Sequence, residues 1–135
     1  MDKSQINILI VEDDEIFLSA ISEVFRKEGF NVVSCKDGKD AISQASFRPI
    51  HVAIVDCMLP KANGVDVVHE LRSLGLDEIP VYLMSGIFQD KAFAADAKNK
   101  TGALQYLFKP FNVDKLVSDI TSKLSEAESA VEEIH

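Results

Sequence analysis

Glu12, Asp13, Asp56, Ser85 and Lys109 have the types and the placement to do chemistry together, because each stands at the end of a short apolar run. Carboxylates brought to one place repel, so they stay ionised together only with a cation between them. A hard divalent ion with oxygen ligands meets that need. Mg²⁺ in particular takes one or two carboxylates, keeps several waters and leaves room for a phosphate oxygen. Ser85 can donate a hydrogen bond to a phosphoryl oxygen and Lys109 can offset its charge, the positioning and electrostatic roles of phosphoryl transfer. The set therefore asks for a metal and an anion at once.

Such a site exists only if separate strands end at one edge. Residues 52–55 (VAIV) predict a buried strand, and the acid that follows, Asp56, must mark its exit. In an α/β sheet that exit is the carboxyl edge, where ligands bind. Residues 6–11 (INILIV) run into Glu12, Asp13 and Asp14 in the same way, residues 80–84 (PVYLM) end at Ser85 and Gly86, and residues 104–108 (LQYLF) end at Lys109 and Pro110.

The intervening segments carry helical patterns. Ile16, Phe17, Ala20, Ile21, Val24 and Phe25 form a stripe that predicts a helix over 15–28, stopped by Gly29. Residues 31–35 predict a strand, and Asp37 and Gly38 open a helix with Ala41, Ile42 and Ala45 inward, closed before Pro49. Proline, asparagine and glycine mark 58–64 as a loop. Val65, Val68, Leu71 and Leu74 predict a third helix. Residues 88–100, rich in alanine and charge, predict the loosest one. Asn112 is a candidate N-cap for a strong last helix with Val113, Leu116, Val117, Ile120 and Leu124 inward. This alternation predicts a doubly wound α/β domain over 1–124, a five-stranded parallel sheet with helices on both faces, followed over 125–135 by an acidic tail or linker that either extends the last helix or frays.

Composition narrows the function. The 135 residues fit one domain, 47% apolar and 27% charged, with no run of about 18 apolar residues to span a membrane. No apolar leader precedes the first strand, so the expected compartment is the cytoplasm. A net charge of −8 argues against nucleic acid as a ligand of this domain, since that affinity rests on clustered Lys and Arg. Cys35 and Cys57 read as buried free thiols. His51, His69 and His135 lack metal-ligand spacing. Asp14 reads as an acid that either supports the metal ligands from behind or caps the following helix, and not as a ligand itself, and Tyr106 taken alone reads as half-buried packing. A single acid at a strand end is most often a solvated cap; only the joint occurrence carries weight.

The elements ILIVEDD (8–14), VDCMLP (55–60) with Gly64, PVYLMS (80–85) and FKPF (108–111) together resemble the receiver domains of bacterial two-component response regulators. The resemblance implies a flavodoxin-like strand order 2-1-3-4-5, for which the chemotaxis regulator is a standard example. It implies Asp56 as phosphoacceptor and Glu12, Asp13, Asp56 and the Met58 backbone carbonyl as Mg²⁺ ligands. It also implies Ser85 and Tyr106 as switch residues, Lys109 as the phosphate-contacting lysine, and a cis bond before Pro110. The implied partners are a sensor histidine kinase or histidine phosphotransfer protein and a downstream protein target, with a phosphorylation-dependent dimer also allowed. Such a domain is a phosphoacceptor that assists its own phosphorylation and dephosphorylation, not a turnover enzyme. Gly86 stands where the family usually has alanine, and 85–109 is slightly long, with 99–102 the expected site of the extra residues.

Met58 and Ile87 flank the expected path of an attacking water and offer it no hydrogen bond, which predicts a long-lived phosphoryl state. Two other readings compete. A Mg²⁺-dependent phosphohydrolase would need a second acid two residues after the nucleophile, where Met58 stands. A degenerate receiver used as a docking module would not need every key position filled.

Overall fold

Strands whose aliphatic side chains must be buried on both faces have one solution, a parallel sheet covered by helices. The computed structural model, which describes residues 1–86 and 90–134, takes that form. A 3-10 turn (Lys3–Gln5) leads into β1 (Asn7–Val11), α1 (Glu15–Lys27), β2 (Asn31–Cys35), α2 (Gly38–Phe47) and β3 (Val52–Asp56). Then follow β4 (Met58–Leu59), β5 (Ala62–Asn63), α3 (Gly64–Ser73), β6 (Val81–Ser85), α4 (Lys91–Thr101), β7 (Gln105–Phe108) and α5 (Val113–Ile134).

The main sheet has five parallel strands in the order β2-β1-β3-β6-β7. This is the expected 2-1-3-4-5 order, because β4 and β5 form a separate antiparallel ribbon inside the stretch expected as a loop. Strand alternation then divides the core. Leu9, Val11, Ala53, Val55, Val81 and Leu83 face α2, α3 and α4, through Ala41, Val68, Leu71 and Ala97. Ile8, Ile10, Val52, Ile54, Tyr82 and Met84 face α1 and α5, through Leu18, Ile21, Phe25, Leu116, Val117 and Ile120. Each fully buried aliphatic side chain contributes about 1.5–3 kcal/mol, so the two half-cores hold the strand ends firmly in register.

Several elements differ in detail from the sequence pattern. In α1 the inward face is Leu18, Ile21, Ser22 and Phe25, while Ala20 is exposed and Ile16 is 84% exposed. Asp14 caps this helix just beyond β1, so its first turn overhangs the edge of the sheet and Ile16 has no core to enter. In α3 Val67 is buried instead of Leu74, because the helix ends at Ser73 and Gly75 turns the chain away with φ +92°. α4 starts at Lys91 on an Asp90 cap; the start expected at Phe88 lies outside the described residues. Only Ala94, Ala97 and Thr101 of α4 are buried. Its C-terminus is tied down by Arg72, which donates to the carbonyls of Leu76, Asp77 and Ile79 and to that of Thr101 at 3.0 Å. α5 continues without a break past Leu124 to Ile134, so the expected tail is helical that far. Among the described residues no helix is long and apolar enough to cross a membrane.

Candidate functional site

The register of the sheet decides which side chains meet. Val11 lies opposite Val55, Asp56 opposite Met84, and Ser85 opposite Phe108. Backbone pairing continues one residue past the strands, from Glu12 N–H to Cys35, Cys57 N–H to Met84 and Lys109 N–H to Ser85, each at 2.9 Å. Glu12, Asp56, Ser85 and Lys109 therefore leave the sheet side by side at its carboxyl edge. The Lys109–Pro110 bond is cis, as the resemblance implied.

At that edge carboxylate oxygens of Glu12, Asp13 and Asp56 lie within 4.8 Å of one another. Glu12 is fully buried, Asp56 is 4% exposed and Asp13 faces solvent. The Lys109 ammonium donates to Glu12 and, at 2.9 Å, to Oδ2 of Asp56. The other Asp56 oxygen, Oδ1, accepts from the Met58 N–H at 2.8 Å. Burial first, then the neighbouring Asp56 carboxylate, push Glu12 above the usual carboxylate range, and Lys109 only partly opposes them. Burial works against the Lys109 charge, but Glu12 and Asp56 outweigh it and hold the amine protonated. One Glu12 oxygen, Oε2, is buried with no hydrogen-bond partner among the described residues. An unsatisfied buried carboxylate oxygen beside two more acids is a donor set that a hard cation fits.

Ser85 is fully buried at the end of β6. The Tyr106 hydroxyl points inward beside Ser85 and Cys57, buried and without a hydrogen bond of normal geometry among the described residues, and burial pushes the phenol up to about 12. Its ring packs on Phe93 and Phe108, with centroids 6.2 and 5.3 Å away. Cys35 and Cys57 are buried free thiols. Asp14 caps α1 through the Ile16 and Phe17 N–H groups and stays out of the cluster.

Sequence patterns did not show how closely the β3–α3 connection is drawn over the acid. Gly64 donates to the Cys57 carbonyl at 3.0 Å, and a Cβ there would stand 2.3 Å from the Asp56 carbonyl oxygen. Gly86 is different. A Cβ there would meet the Lys109 stem at 3.5 Å, an ordinary contact that alanine could make. Phe17 was also missed as a site residue, since an aromatic in an amphipathic stripe reads as core; its ring in fact lies 4.7 Å from the Lys109 ammonium.

The model of the response regulator receiver domain family matches residues 8–121, nearly the whole chain. This chain belongs to that family. Among curated relatives, the receiver domain resembles CpxR, a transcriptional regulatory protein of Escherichia coli K12, at 33% identity over 117 residues, 87% of this chain and 48% of CpxR. It also resembles TcrX, a probable transcriptional regulatory protein of Mycobacterium tuberculosis, at 32% identity over 116 residues, 86% of this chain and 48% of TcrX. The chain thus spans about half the length of the curated relatives it matches. Among solved structures, the CheY-like receiver domain from Methanospirillum hungatei JF-1 superposes with a TM-score of 0.82 at 23% identity, covering 93% of this chain and 98% of that one, a likeness of fold. Receiver domains serve phosphorelay signalling, and the acidic cluster of this one can hold a metal ion. At the position where a phosphohydrolase would need its second acid, the receiver carries Met58, which is 40% exposed. Ile87, the other residue placed beside the attacking water, lies outside the described residues.

Proposed function

We propose that the receiver accepts a phosphoryl group on Asp56 from a phosphohistidine of a sensor kinase or histidine phosphotransfer protein. A carboxylate oxygen of Asp56 attacks phosphorus, the phosphorus–nitrogen bond breaks, and the imidazole departs with the bonding electron pair and takes up a proton. The product is an acyl phosphate. Glu12, Asp13, Asp56 and the backbone carbonyl of Met58 would hold Mg²⁺, which when bound offsets the charge of the transferring group. Lys109 stands at hydrogen-bond distance from the nucleophile and neutralises a phosphoryl oxygen. The Met58 N–H fixes the carboxylate plane by holding Oδ1. Ser85 donates to another phosphoryl oxygen from the adjacent strand end.

The readout is a change of surface. Ser85 drawn toward the phosphoryl group leaves space that the inward Tyr106 ring fills, and this biases the packing of the face made by α4, β7 and α5. That face then meets a downstream protein. The domain acts stoichiometrically, as a phosphoacceptor that assists its own phosphorylation and dephosphorylation.

The observation that carries this reading is a 4% exposed carboxylate, Asp56, at the open edge of the sheet with an ammonium 2.9 Å away and two further acids within 4.8 Å. Incubation with acetyl phosphate and Mg²⁺, followed by intact-mass measurement, tests it. One phosphoryl group should add to the wild type and none to Asp56→Asn. Labelling of Asp56→Asn to the wild-type extent, or continuous turnover of small phosphate esters, would overturn it.

A further inference from the structure

The Lys109 ammonium has three N–H donors. Glu12 and Asp56 take two, and the remaining side faces the Phe17 ring, whose centroid is 4.7 Å from Nζ. The ring is itself fixed. Its backbone N–H donates to the Asp14 side chain at 3.3 Å, and Phe111 packs against it edge-on, 5.8 Å away at an interplanar angle of 73°. The Lys109 side chain is only 18% exposed, so the aromatic face stands where water would otherwise solvate the charge. A ring quadrupole attracts an ammonium at this distance, most strongly where water is excluded.

We propose that Phe17 is a positioning residue that holds the Lys109 ammonium in the acidic pocket, setting both the affinity of that pocket for a divalent cation and the readiness of Asp56 for phosphorylation. The two effects have opposite signs. With the ring present, Lys109 competes with an entering cation for Glu12 and Asp56. Without it, the flexible lysine stem swings toward water, the pocket becomes more anionic and cations bind more tightly. The same departure leaves the incoming phosphoryl oxygen without its ammonium, so transfer slows. The second effect rests on the phosphoacceptor reading of Asp56; the first does not.

Phe17→Leu keeps an apolar side chain and removes the π face, whereas Phe17→Tyr keeps the face. Three measurements on the full chain separate the possibilities: Mg²⁺ affinity by calorimetric titration, the rate of labelling by acetyl phosphate at saturating Mg²⁺, and the ring-current shift of the Lys109 ε-methylene protons in EDTA. Phe17→Leu should bind Mg²⁺ about fivefold more tightly, label about fivefold more slowly and lose the ring-current shift, while Phe17→Tyr stays near wild type in all three. Wild-type Mg²⁺ affinity and labelling in Phe17→Leu would overturn the proposal. So would equal defects in the two variants, or weaker Mg²⁺ binding in Phe17→Leu, which mark a packing role. If the wild type takes no label on Asp56 but Phe17→Leu still tightens Mg²⁺, the phosphoacceptor reading fails while the role of Phe17 in cation binding stands.

Discussion

Alanine in place of Gly64 would put a methyl carbon 2.3 Å from the Asp56 carbonyl oxygen and 2.7 Å from Cys57 Cα. The first distance is about 1 Å inside ordinary van der Waals contact, where repulsion is steep. Both atoms it meets are backbone, so no side-chain rotation relieves the overlap. The β3–α3 connection must move instead, and it carries the Gly64 N–H bond to Cys57 at 3.0 Å and the Met58 N–H bond to Asp56 at 2.8 Å. Overpacking of this kind costs about 1–3 kcal/mol. For a domain of this length that lowers the melting temperature by about 3–9 °C. The control is Gly86→Ala, because among the described residues the Cβ there makes only ordinary contacts, at 3.5 and 3.7 Å with Lys109, and Gly86 is not among the glycines with positive φ. It should stabilise by about 0.4–1 kcal/mol through the unfolded chain. Thermal melts of both variants in EDTA keep bound metal out of the comparison. Gly64→Ala should also label more slowly with acetyl phosphate, since the movement reaches Asp56. If Gly64→Ala melts with the wild type, or Gly86→Ala loses as much as Gly64→Ala, the steric argument is wrong.

Arg72→Ala should destabilise by about 2 kcal/mol, as carbonyls of the α3–β6 connection and of Thr101 lose a charged donor, and Arg72→Lys should not restore it; urea midpoints check both. Burial pushes the Cys35 thiol up to about 12 and the Cys57 thiol up to about 11 from an ordinary 9.0. Well below pH 9 neither folded nor unfolded thiols ionise, so stability is unaffected there. Above it only the unfolded thiols ionise readily, so stability should fall as pH rises from about 9 toward 12, and a Cys35→Ala, Cys57→Ala variant should show a flatter alkaline fall in denaturant titrations. In the phosphorylated state Met58→Asn should shorten the lifetime of the acyl phosphate by giving an attacking water a hydrogen-bond partner, measured as loss of phosphoryl mass with no phosphatase present; an unchanged lifetime argues against that role for position 58.

Much of this protein was legible in its residues because the signals are local. Apolar runs that give way to polar side chains at Glu12, Asp56, Ser85 and Lys109 mark where the strands end and which side chains share the carboxyl edge, since a polar or charged group is costly to carry on through a buried strand. Capping followed the same logic at Asp14, Asp37 and Asn112, whose side chains accept N–H groups of the helices they precede. Periodicity could not settle which way α1 faces, because Ile16 and Leu18 are equally apolar. The choice of Leu18 came from where the helix overhangs the sheet. The clamp of Arg72 on the end of α4 and the seat of Phe17 beside Lys109 join residues far apart in the chain, and the approach of Gly64 to the nearby Asp56 carbonyl depends on how the β3–α3 connection folds back over the strand end. Hydrophobicity and spacing record what a residue avoids and how often it recurs. Which distant partner it meets is fixed only when the sheet register and the packing of helices on both faces close around it.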